Sequence, residues 1–350
     1  MYLPYSIVNP LTIVQIARRL PRPGDVLVSV GDTVEPTHIV AQTVRPADFR
    51  IVNAARELNI PLKKVKNYIK VERGERVSEG DVLAARGGLS GGTCRSPIGG
   101  TIVGSGRGRL LLEADPQPIR LSALVPGIVV DTWPSEGVLI ETVGAYIQAA
   151  WGNGLEVYGP LRVIARAPRH PLRRKHIDSA SSGKILVGGA QIDEDAIERA
   201  VEYRVHGIIV GGLPAHLIPL VQQVGFPLIA TEGVGKTPMS KATFDLLRSL
   251  DGRNVALSAK LRPRWGAKRP YIVVPMPSEA GTPVDPDAPI AVGDRVRALR
   301  QPYRGASGEV VNIPPGMSQL ETGARVMGVQ VDFGRNEVAF IPYANLERLL

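Results

Sequence analysis

The sequence predicts a multidomain protein of mixed α+β and α/β class: a β-sandwich first half, a small parallel α/β domain and a small terminal β-barrel. Three observations carry this. First, 38 Gly and 30 Pro against 5% aromatics in 350 residues favour many short strands joined by tight turns. Second, a glycine–acid–x–valine phrase recurs in the first half. Third, short apolar runs alternate with helical patterns from Lys184 onward. An apolar fraction of 44% and a charged fraction of 21% exclude a disordered chain. The expected division is 1–165, 166–274, a Pro-rich linker over 275–289, and 290–350.

The first half is built from repeated hairpins. Gly31-Asp32-x-Val34 followed by Ile39-Val40-Ala41 returns as Gly74-Glu75-x-Val77 followed by Val82-Leu83-Ala84. Glycine supplies the positive φ that such turns need, and the β-branched residues alternate onto a buried face. A second pair of phrases, Ser96–Glu113 and Val125–Glu141, shares Pro, Gly, an apolar strand, a polar turn and an apolar strand ending in Glu. The string VERGERVSEGDVLAA…SPIGGTIV resembles the biotinyl/lipoyl-like barrel-sandwich hybrid, or hammerhead, of carrier domains, RnfC-type subunits and RNA polymerase large subunits. Carrier domains present a modified lysine on the hairpin that here reads ARGGLSGGTCR (Ala85–Arg95), which has no lysine. Covalent biotin or lipoate is therefore not expected. Cys94 lies there beside Arg95, a neighbour that lowers a thiol pKa.

Between the phrases, residues 47–70 read as a helical insertion. Ile51, Ala54, Ala55 and Leu58 keep helical spacing, Pro61 opens a second helix, and Val65, Tyr68 and Ile69 continue the apolar face. Ala55, Asn59, Ile60 and Val65 also match helix-turn-helix spacing, which would put Lys63, Lys64, Lys66 and Lys70 on or near a DNA-reading helix; the bland alternative is a helical hairpin that closes the sandwich.

In the middle domain, KILVGG, GIIVGG, FPLIA and NVALSA read as buried strands. DEDAIERAVEYR, AHLIPLVQQV and MSKATFDLLRSL read as helices, the first with a possible capping box at Asp195 and Glu198. The alternation implies a Rossmann-like, mostly parallel sheet covered on both faces, with ligands outside the strand carboxyl ends. Those ends are Gly188-Gly189, Gly211-Gly212 and the loop Thr231–Pro238. ATEGVGKT (Ala230–Thr237) fits a relaxed phosphate-loop pattern in which Gly233, Gly235, Lys236 and Thr237 would hold an anion. Against it stand Pro238, which removes an N–H donor, and the lack of a later strand ending in Asp.

The linker over 275–289 is rich in proline and acid and reads as a semi-rigid spacer. Beyond it, Val292–Ile313 and Gly328–Leu349 resemble a KOW domain, the SH3-like barrel of NusG-type elongation factors and several ribosomal proteins. Val296, Pro302, Tyr303, Gly305, Gly308 and Val310 carry the hairpin match. Val329, Val331, Phe333, Val338 and the IPYANLERL end carry the closing strands. The resemblance implies contact with RNA, the ribosome or RNA polymerase, a protein partner being about as plausible.

Charge sharpens that expectation. Of a net charge of +9, residues 150–275 hold 18 basic and 10 acidic side chains. Much of the excess comes from Arg162–His176 and Lys260–Pro270. The expected contacts are Arg262, Arg264, Trp265 and Lys268 in the second run, where an aromatic among cations suits a phosphate backbone with a stacked base. Arg295, Arg297, Arg300 and Arg304 join them from the barrel hairpin.

One cysteine rules out an intrachain disulfide and any multi-thiolate zinc site within the chain. No apolar run nears the roughly 18–20 residues that span a bilayer, and the start lacks the basic segment of a secretory signal. A cytoplasmic protein without membrane contact is expected. No catalytic string, metal-ligand spacing or cofactor fingerprint emerges, so the leading reading is a non-enzymatic adaptor in transcription or translation. The rivals are a phosphate- or nucleotide-binding enzyme using Thr231–Thr237, and an accessory subunit of a larger enzyme complex that docks through the hammerhead.

Overall fold

A computed structural model describes residues 5–6, 8–45, 47–87, 92–260, 269–277, 289–320, 322–334 and 337–349. It is β-rich, and its first half is organised by one turn used repeatedly. At Gly31-Asp32 and Gly74-Glu75 the glycines hold φ of 95° and 92°. Each donates its N–H across to the next hairpin, to Val129 O at 2.8 Å and Ile102 O at 2.7 Å. The acid then turns back, accepting the Ser29 N–H on Asp32 and the Glu72 N–H on Glu75, both at 2.8 Å. The same arrangement occurs at Gly80-Asp81 (φ 89°) and Gly293-Asp294 (φ 94°), where Ser78 and Ala291 donate to the acids at 2.7 Å. A glycine in this left-handed conformation next to a carboxylate is thus a portable hairpin corner.

These corners build two β-units, one inside the other. Strands Asp25–Val26, Thr33–Val34, Ile39–Val44, Pro118–Ser122 and Gly127–Trp133 form the outer unit. Strands Phe49–Val52, Arg76–Val77, Val82–Ala85, Thr93–Arg95, Gly100–Gly106 and Arg109–Ala114 form the inner one. The neck closes where Arg45 N donates to Gln117 O at 2.9 Å and Ala114 N to Asp48 O at 2.8 Å. Each unit has its own core, with Val40, Ala41, Val129 and Ile140 buried in the outer and Leu83, Ile102, Leu110 and Leu112 in the inner. Gly100 and Gly127 occupy matching places: a Cβ would sit 2.1 Å from Glu113 O and 2.2 Å from Glu141 O. That close approach of facing strands is what the repeated Pro-Gly phrase encodes.

The helical insertion expected over 47–70 is corrected. Phe49–Val52 is a strand paired with Leu110–Glu113, Ala54–Glu57 is a single helical turn, and Leu62–Tyr68 is a 3-10 segment opened by Pro61. Ala54, Ala55, Leu58 and Val65 of the expected apolar face plug the inner core, whereas Ile51, which the helical spacing also included, lies in the strand and is exposed. No pair of helices able to read a groove is formed there.

The strands Val8–Arg19 and Gly137–Gln148, each 12 residues long, outrun the outer unit. Gly144–Gln148 also pairs with Tyr271–Pro275, which pairs with Asn254–Ser258, which pairs with Glu156–Val163. Beyond it, Ile185–Val187, Gly207–Val210 and Leu228–Ala230 follow in parallel. One sheet therefore crosses the boundary expected at residue 165. The helix Glu194–Glu202 and the short turns Ala215–Val221 cover one face, while the helix Lys241–Ser249 covers the other. Two local expectations change. Asn254–Ser258 is antiparallel to its neighbour, and the cap of the first helix is Asp193, which accepts the Ala196 N–H at 3.0 Å.

The terminal unit is a sheet of Arg295–Ala298, Ser307–Asn312, Gly328–Asp332, Val338–Pro342 and Leu346–Leu349, to which Tyr5–Ser6 adds a parallel strand. Val296, Val310, Val329 and Val331 fill its core, and Tyr303 stacks on Phe333 with ring centroids 4.7 Å apart. At Gly308 a Cβ would sit 2.4 Å from Asp332 O. Most of the expected linker, residues 278–288, lies outside the described residues.

Candidate functional site

The strand carboxyl ends, where a ligand was expected, are closed by the chain itself. A Cβ on Gly189 would sit 2.1 Å from Ala167 O, one on Gly211 2.3 Å from Met239 N, and one on Gly212 2.3 Å from Gly235 O. The glycine pairs thus admit neighbouring backbone rather than a phosphate. In the loop Thr231–Pro238, Glu232 N donates to Gly211 O (2.7 Å) and Gly235 N to Leu213 O (2.8 Å). Gly233 N lies 3.4 Å from Ala230 O. These N–H groups are spent on the fold, and the helix that should receive the phosphate begins only at Lys241. The N–H groups of Gly233 and Gly235 are therefore not free for the anion cradle that the pattern suggested, while Lys236 is exposed and Thr237 faces the hollow described below.

What that loop does hold is an ion-pair cluster. Glu232 accepts the Ser240 N–H at 3.0 Å and pairs with Arg297, whose guanidinium also pairs with Glu347. Arg269 pairs with the second oxygen of Glu347 at 2.9 Å. Arg297 lies on the outer face of its strand, yet is only 8% exposed, because this face is docked against the loop. It was expected as a free contact and is instead the bolt between the terminal unit and the α/β layer. Burial, and the like charge of Glu347 nearby, push the Glu232 carboxyl up from its ordinary value. Arg297 stays cationic, since its two carboxylates outweigh its desolvation.

Outside the bolt lies a basic cleft of about 1000 Å³ between the two layers. The segment Arg166–His170 forms one wall, Lys241 and Arg248 of the second helix another, and Arg304 of the terminal hairpin the third. A second hollow of about 520 Å³ adjoins it through Arg166 and His170 and continues to Lys175 and His176. Several cations of the region are neutralised: Arg162 by Asp178, Arg173 by Asp193, and Lys241 by Asp245. Arg166, Arg169, Arg248 and Arg304 form no ion pair with a described carboxylate. The concentrated charge shows in His176. Burial, then Lys175, His170, Arg173 and Arg166, hold its imidazole below the usual value.

Of the expected nucleic-acid contacts Arg304 lines the cleft, and of the expected anion-binding residues Thr237 does. Arg295 and Arg300 are exposed on the terminal unit, and Arg262, Arg264, Trp265 and Lys268 lie outside the described residues. Cys94 is in a strand and fully buried; burial and then Glu57 push its thiol up to about 12, the reverse of an activated thiol. Among the described residues no three His, Cys, Asp or Glu side chains cluster as a metal site, and no helix is long and apolar enough to cross a membrane. Sequence reasoning missed Arg166, Arg169 and Arg248 as a set. The first two belonged to a basic run already noted, but nothing local ties them to Arg248. Comparison with known proteins yields no matching family model and no matching curated protein.

Proposed function

We propose that the chain is an adaptor that binds RNA, as part of a transcription or translation assembly, through the basic cleft. The observation that carries this reading is the convergence of Arg166, Arg169, Arg248 and Arg304, from three separate segments, on one hollow where none of the four lies within ion-pair distance of a described carboxylate, the two carboxylates that also line it, Glu232 and Asp245, being paired with Arg297 and Lys241. Unpaired arginines beside one another repel, and a phosphate backbone relieves that repulsion while releasing counterions. The KOW resemblance of the terminal unit supports RNA as the polyanion. Its place beside the α/β layer, fixed by Arg297, lets Arg304 work with cations of a different unit.

Filter binding of single-stranded RNA across a salt series tests this. Affinity is expected to fall steeply with salt. The triple change Arg166→Ala, Arg169→Ala and Arg304→Ala is expected to lower the log–log slope by roughly 2, at roughly 0.7 per lost phosphate contact. Binding that is absent, independent of salt, or unchanged in the triple variant overturns the reading.

A further inference from the structure

The inner β-unit leaves one sheet edge open. Its strands run in the order Phe49–Val52, Arg109–Ala114, Gly100–Gly106, Arg76–Val77, so Phe49–Val52 has a neighbour on one side only. Asp48 O accepts the Ala114 N–H at 2.8 Å, and the register continues as Phe49 opposite Glu113, Arg50 opposite Leu112 and Ile51 opposite Leu111. Bonded and non-bonded pairs alternate along an antiparallel ladder. Asp48, Arg50 and Val52 therefore bond inward, and the N–H and C=O groups of Phe49 and Ile51 point out of the sheet. Phe49, Arg50 and Ile51 are all exposed, Phe49 by 58% and Ile51 by 65%, so the described chain leaves this edge uncovered.

Other edges of the molecule are protected in ways this one is not. Asp25–Val26, Arg76–Val77 and Trp151–Gly152 are two residues long, and Pro118–Ser122 and Val338–Pro342 carry a proline. Short or proline-bearing edges resist pairing with another chain, whereas a longer apolar one invites it. Here two large apolar side chains, Phe49 and Ile51, share the outer face, and two opposite charges, Asp48 and Arg50, share the other. Both charges are exposed, and neither forms an ion pair among the described residues.

We propose that this edge pairs with the same strand of a second copy, antiparallel about a two-fold axis at Phe49, so that two four-stranded sheets become one. Charge selects the register. An axis at Phe49 sets that ring beside its own copy and puts Arg50 opposite Asp48 of the second copy, twice by symmetry. An axis at Arg50 would put that residue opposite itself, and like charges directly opposite destabilise a sheet. An axis at Ile51 would put Arg50 opposite Val52, which is buried in the inner core, and form no ion pair. An aromatic pair and two ion pairs thus favour the first register. The ladder over 47–51 is short, so the association is weak and depends on concentration. It does not rest on the RNA reading, because it uses no residue of the basic cleft.

Sedimentation equilibrium of the full, nuclease-treated chain over a concentration series tests this. The mean mass is expected to rise from monomer toward dimer. Arg50→Asp or Asp48→Arg alone is expected to weaken the association roughly tenfold, because both symmetry-related ion pairs become like-charge pairs. An equimolar mixture of these two variants is expected to restore it, since each then meets opposite charges on the other, and that rescue also shows both to be folded. Phe49→Lys, which sets two like charges at the axis, is expected to leave only monomer. A monomer at every concentration, variants that associate like the wild type, or a mixture no tighter than its components overturns the proposal. An association that nuclease treatment removes overturns it as well and assigns the mass to RNA bridging.

Discussion

Two buried glutamates meet arginine in this molecule and respond in opposite directions. Glu156 has Arg18, Lys260 and the Ser258 hydroxyl to itself, and Arg18 and Lys260 outweigh its burial, holding its carboxyl down to about 2. Glu232 has a single guanidinium that it shares with Glu347, and burial wins, so its carboxyl is raised. Depth alone does not set the sign. The ratio of cations to carboxylates within one cluster does. The first cluster is a permanent anion built into the sheet rim, whereas the second is a joint between two units poised nearer to neutrality.

The largest expected effect is on the joint. Arg297→Met leaves Glu232 without its cation and is expected to cost about 3–5 kcal/mol at pH 8, measured by urea denaturation. The loss is expected to shrink as pH is lowered, because burial raises the folded pKa of Glu232 and the uncompensated carboxylate takes up a proton before its unfolded counterpart does. An equal loss across the pH range would erase the contrast between the clusters.

Acid titration of the wild type isolates the other cluster. Between pH 4.5 and 2 the unfolded chain binds more protons at Glu156 than the folded one, so its contribution is complete above 4.5 and is lost as pH falls toward 2. Roughly 2.5 pKa units correspond to about 3 kcal/mol. Glu156→Gln is expected to flatten that part of the stability profile. A profile that keeps its slope in the variant would assign the acid sensitivity elsewhere.

The smallest effect sharpens the comparison. Lys260 is 46% exposed in its side chain, and Lys260→Met is expected to cost under about 1 kcal/mol, because Arg18 remains on the carboxylate. A loss as large as that of Arg297→Met would show that Glu156 depends on both cations equally.

Local chemistry made much of the architecture legible. The corners at Gly31-Asp32 and Gly74-Glu75 were readable because a left-handed glycine and a carboxylate three residues beyond its N–H donor interact within one turn. The apolar runs at Ile185–Val187 and Gly207–Val210 were readable as buried strands for the same reason. The phosphate-loop pattern misled because its glycines answer to backbone from other segments, Gly212 to Gly235 and Gly211 to Met239, which no window along the chain contains.

By itself, then, the sequence determined the turns, the strand periods, the covered parallel layer and the basic middle third. The tertiary structure decided which of those charges meet. Arg297 finds Glu232 across 65 residues, Ser258 finds Glu156 across 102, and Arg18 finds the same carboxylate across 138. Sheet register and the docking of units set such pairings. They are properties of three-dimensional closure, whereas turns and amphipathic periods are fixed by neighbours a few residues apart.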